Sequence, residues 1–67
     1  MNQSEKIIFY NKFKDVIHPT IKTHQETKPL WRRLYWTTGR DSDEYKSGCV
    51  EILKNKFPIL FKELNSN

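Results

Sequence analysis

Leu30-Trp31-Arg32-Arg33-Leu34-Tyr35-Trp36 holds both tryptophans and two of the three arginines of a 67-residue chain. No period-2 alternation runs through it, and a helix sorts it cleanly. With Leu30 at the origin and about 100° per residue, Leu34, Trp31 and Tyr35 follow at about 40°, 100° and 140°. That is an apolar face of ordinary width. Arg32, Trp36 and Arg33 fall at about 200°, 240° and 300°, on the other side. The two tryptophans are therefore expected in different environments: Trp31 in the core, Trp36 between two arginines facing outward.

The flanks support the same reading. Pro29 suits the first turn of a helix, and Gly39 suits the residue that closes one. A helix is thus expected over 29–38. Upstream, Phe9, Tyr10, Phe13, Val16 and Ile17 recur on one side of a segment that Ser4 can cap, with Glu5 at the positive end of the dipole. Ile7 and Ile8 lie off that stripe. Pro19 is expected to end this first helix, giving 4–17, because the residue before a proline is pushed out of helical geometry.

Residues 18–28 are polar and are expected to form a connection or a short helix. Downstream, Asp41 and Glu44 have the spacing of a capping box. Tyr45, Cys49, Ile52, Leu53 and Phe57 make an apolar face over 42–56. A last short helix is expected over 58–64, leaving 65–67 as a tail. The fold expected is a single all-α domain, a small bundle of three to four short helices. Phe9, Phe13, Trp31, Leu34, Tyr45, Cys49, Leu53 and Phe57 are its expected core.

So short a chain buries only about 60% of its unfolded surface, so its stability margin is thin. Cys49 is the single cysteine, so no internal disulfide supplements the core. His18, His24 and one thiol do not make a structural zinc site. A partner, or a second copy in a homo-oligomer, would supply part of the stability. The aromatic fraction of 13% argues against disorder despite 30% charged residues. No apolar run is long enough to span a membrane. The opening residues lack the pattern of a secretory signal, and with one thiol this reads as cytoplasmic.

The net charge of +4 favours acidic partners: a protein face, a nucleic acid or an anionic lipid surface. The chain has nine lysines and three arginines. Arg32, Arg33 and Arg40 are consecutive among its basic residues. Arginine supplies a planar fork that grips carboxylate or phosphate and stacks on rings. Tryptophan and arginine are the side chains most enriched among binding hot spots. Trp36, Arg32, Arg33, Arg40 and Lys28 are therefore the candidate partner-binding residues.

Other constellations are weaker. The helix–Gly39 turn–helix order resembles a helix-turn-helix, but its second helix opens with Asp41, Ser42, Asp43 and Glu44. Carboxylates there repel a polyanion, whereas capping accounts for them. Lys6, Lys12 and Lys14 opposite Phe9, Phe13 and Ile17 fit a membrane-surface helix only in part, and a bundle helix explains them. No catalytic, cofactor or metal constellation has supporting spacing, and His18 and His24 read as solvated. The function expected is that of a small basic, non-enzymatic binding protein: a regulator, inhibitor or assembly subunit. Its expected partner is a protein with an acidic face; the alternative is a nucleic-acid-binding regulator using the same residues on phosphates.

Overall fold

The computed structural model describes residues 1–66. These form four helices and no strand: α1 (Gln3–Thr23), α2 (Lys28–Thr38), α3 (Asp43–Lys56) and α4 (Pro58–Asn65). The fold is a small all-α bundle. Asn67, the end of the expected tail, lies outside the described residues, and Asn65 belongs to α4 rather than to the tail.

α1 begins one residue earlier than its sequence suggested, and its cap lies two residues earlier. Asn2, not Ser4, is the cap: its Oδ1 accepts from the Glu5 backbone N–H at 2.9 Å, and Glu5 reaches back to the Asn2 N–H. Asn equals Ser as a capping residue, and only Asn2 has an acid three residues on to close the box.

The larger correction is at the other end. α1 runs through Pro19 to Thr23 instead of stopping at Ile17. Proline removes one backbone donor, and its ring crowds the carbonyl four residues back, here that of Asp15. The backbone breaks nearby, at Phe13, with φ −119° and ψ 19°. Past that break the chain resumes helix, because Ile17 and Ile21 are both 0% exposed. A proline in a helix costs about 3 kcal/mol, and burying two isoleucines contributes about 3–6 kcal/mol. Burial wins.

Spacing of four brings Phe9, Phe13, Ile17 and Ile21 to one side of α1, and Tyr45, Cys49 and Leu53 to one side of α3. These two helices make the central seam, which also buries Tyr10 and Val50. Phe13, Trp31, Leu34 and Phe57, expected at the centre, are only partly buried and pack around it. α2 and α4 have no fully buried residue and act as covers. α4 docks in part by stacking Phe61 on Phe9, with centroids 5.0 Å apart.

The connections are tied by named groups. Thr27 is fully buried, and its hydroxyl donates to the Ile21 carbonyl at 2.8 Å. It thereby satisfies the end of α1 while standing at the start of α2. Gly39 closes α2 at φ +83° and ψ 153°, a region essentially reserved for glycine. Ser42, not Asp41, caps α3: its Oγ accepts from the Tyr45 N–H at 3.1 Å and donates to the Gly39 carbonyl at 3.1 Å. The expected Asp41–Glu44 box does not form. Phe57 leaves helical geometry before Pro58, which opens α4.

Ser42→Ala is expected to lower unfolding free energy by about 1 kcal/mol, the usual value of a lost cap. Asp41→Ala should cost clearly less. Urea unfolding of the two variants checks this, and the reverse ranking contradicts the assignment.

Candidate functional site

α2 is built from two kinds of residue on two sides. Inward, Trp31, Leu34 and Tyr35 are half-buried and pack on the core. The Trp31 indole N–H donates to Tyr45 Oη at 2.7 Å, pinning α2 to α3. Tyr35 lies 5.5 Å from the Trp31 ring and 6.1 Å from that of Tyr45. Its other neighbour is Trp36, edge-on at 6.1 Å. One aromatic string thus runs from the core to the surface.

Outward, Lys28, Arg32 and Trp36 recur every fourth residue and form a row along the helix, all exposed. Trp36 is 81% exposed, the most of any large apolar side chain among the described residues. The row has Pro29 and Arg33 beside it, both exposed. α2 itself contains no acidic residue. The positive charge of Lys28, Arg32 and Arg33 is therefore not offset within the helix.

The five residues singled out from sequence do not form one patch. Arg33 stands on the α3 flank, over a shallow groove that also includes Leu30, Leu34, Thr37, Gly48 and Ile52. At its floor Leu34 packs directly on Gly48, an approach that needs the missing side chain: a Cβ there would lie 2.6 Å from Leu34 Cδ1. Leu30, placed on the apolar face by the wheel, is 41% exposed at the rim of this groove. The buried side of α2 is centred nearer Trp31, so Leu30 falls at its edge.

Arg40 lies on the opposite flank. It lines a cleft with His18, Lys22, Trp31, Tyr35 and Tyr45. His18 was expected in solvent, yet it is half-buried, with Nε2 and Tyr10 Oη sharing a hydrogen bond at 2.7 Å. Burial lowers its pKa below the ordinary histidine value; Lys22 and Arg40 add to this, and Asp15 opposes it. A first helix ending at Ile17 puts His18 and Lys22 in a polar connection; because α1 continues to Thr23, they share a helix face instead. His24 is exposed and packs edge-on against Phe57 at 5.0 Å.

Two further groups are shifted by burial. Tyr45 is pushed up to about 12, opposed by the hydrogen bond from Trp31, and the fully buried Cys49 thiol is also pushed up to about 12. A thiol so held is a packing group at neutral pH. Among the described residues, no three His, Cys, Asp or Glu side chains come together. No helix there is long and apolar enough to cross a membrane. No family model, curated protein or solved structure matches the chain.

Two measurements check this geometry. Iodide should quench most of the tryptophan emission it can reach through Trp36, so Trp36→Phe should leave emission that is blue-shifted and poorly quenched. Retained strong quenching would contradict the burial of Trp31. For His18, a folded pKa below the unfolded value of 6.5 means that its contribution is intact above that value. Stability should then fall as pH drops from 6.5 through the folded pKa, and His18→Gln should flatten that slope.

Proposed function

We propose that this chain is a small binding protein that engages an acidic protein surface through the outer row of α2. One observation carries the reading: a tryptophan left 81% exposed on a helix with basic neighbours and no acid. A large ring in water contributes little to its own fold, whereas at a protein interface it supplies area at low entropic cost. Lys28 and Arg32 extend along the row from it and would steer a carboxylate-bearing partner. Arg33 flanks the row. Arg40 is not part of this reading, since it belongs to the cleft on the other flank. The chain acts by association rather than catalysis.

The absence of carboxylates from α2 also favours a second reading, in which the same cations meet nucleic-acid phosphates. Salt separates the two. Affinity for a polyanion falls steeply with salt because counterions are released, whereas a contact anchored by an apolar ring falls gently.

The test is affinity capture from native lysate, with and without nuclease, using the parent chain and Trp36→Ala. A protein partner should survive nuclease, and Trp36→Ala should weaken its binding by about 2 kcal/mol or more. Arg32→Lys should also weaken it, since lysine keeps the charge and loses the fork. Capture that nuclease abolishes, or that Trp36→Ala leaves unchanged, overturns the proposal.

A further inference from the structure

The cleft that holds Arg40 has a lining that packing alone does not call for. It lies among the second half of α1, the inner side of α2 and the turn into α3, and it measures about 210 Å³. Three of its six lining residues, His18, Lys22 and Arg40, are basic, and none is acidic. The other three, Trp31, Tyr35 and Tyr45, give it aromatic walls. Lys22 Nζ sits 5.4 Å over the Trp31 ring, which holds the ammonium at the cleft instead of free in solvent.

Cations brought together in this way are ordinarily answered by carboxylates. Here they are not: the one ion pair among the described residues joins Lys6 to Glu51, on another part of the bundle. The consequence is visible at His18, which is disfavoured as a cation by burial and then by Lys22, Arg40 and Lys14. On its own helix only Asp15 pulls the other way, and Tyr10 holds its ring nitrogen. From the turn, Asp41 and Arg40 act on Tyr10 in opposite senses, Asp41 the more strongly, and from α3 the Tyr45 ring stands edge-on to the histidine ring at 6.1 Å. The lining itself carries Lys22 and Arg40 and no carboxylate.

We propose that this cleft is a binding site for a small phosphate monoester. Lys22 and Arg40 take the phosphoryl oxygens, His18 takes a proton and joins them, and Trp31 and Tyr35 flank the carrier. Three separate basic side chains suit three terminal oxygens, whereas a planar carboxylate is satisfied by one guanidinium fork. The monoester's second ionisation lies near 6, so it carries close to two charges at neutral pH. The cleft is smaller than the roughly 300–1,000 Å³ of ordinary small-molecule sites, which favours a phosphoryl group on a compact carrier over a large cofactor. The site is on the flank of α2 away from Arg33, and it stands independently of the function proposed for the Trp36 row.

The test follows the two histidine ring protons by NMR as pH is varied, with phenyl phosphate as probe and sodium chloride at equal ionic strength as reference. Binding should raise the His18 pKa by on the order of one unit, because an opposite charge now adjoins the imidazolium. His24 should not move. Lys22→Met and Arg40→Met should each remove most of the shift. Both residues are exposed, so neither change enters the core, and Arg40→Lys should retain an intermediate shift. Benzoate at the same concentration should have much less effect. An equal shift in both histidines, a shift that survives both methionine substitutions, or benzoate matching phenyl phosphate would each overturn the proposal.

Discussion

The burial of Ile17 and Ile21 beyond Pro19 is the constraint on which the rest of this structure depends. It keeps α1 helical across a residue that would otherwise end it, and so gives α3 a long partner. The seam between them contains nearly every fully buried side chain. It also determines where α1 stops. The chain turns after Thr23, Thr27 ties the corner to the Ile21 carbonyl, and α2 lies with the Trp31 indole against Tyr45. Without the last turn of α1, Lys22 would have no ring to rest on and His18 no cleft to line.

α2 is attached by a few half-buried residues rather than by a buried stripe. That division separates what folds the chain from what is available to a partner. The inner aromatics contribute packing and one indole hydrogen bond, while the outer row contributes almost nothing to the core. Exposed single apolar residues are common and need no explanation. An 81% exposed tryptophan in line with an arginine and a lysine is a different case, because each of those residue types is favoured at interfaces for its own reason.

Sequence was most informative where local chemistry decides the conformation. The helical wheel separated Trp31 from Trp36, and Gly39 marked the end of α2, because spacing and a positive φ are local properties. It failed where a long-range term overrode a local one. Pro19 is a good stop signal, and only tertiary burial of two isoleucines defeats it. Once the helix is ended at Ile17, neither Ile21 nor Thr27 can be recognised as core, and His18 and Lys22 drop into a polar connection. The caps failed for a smaller reason. Asn2 and Ser42 compete with neighbours of similar propensity, and only backbone geometry chooses among them. The grouping of Arg40 with Arg32 and Arg33 failed because proximity in sequence does not survive the turn at Gly39.

The central claim is that the α1–α3 seam folds the chain and the outer row of α2 is spare. The most direct measurement is the unfolding free energy of the triple variant Lys28→Ala, Arg32→Ala, Trp36→Ala. Surface changes away from structural contacts stay within about 0.5 kcal/mol each, so the variant should remain folded with a stability close to the parent's. A loss comparable to the 2–5 kcal/mol expected of Ile17→Ala would show that the row is part of the fold. That result would contradict the account.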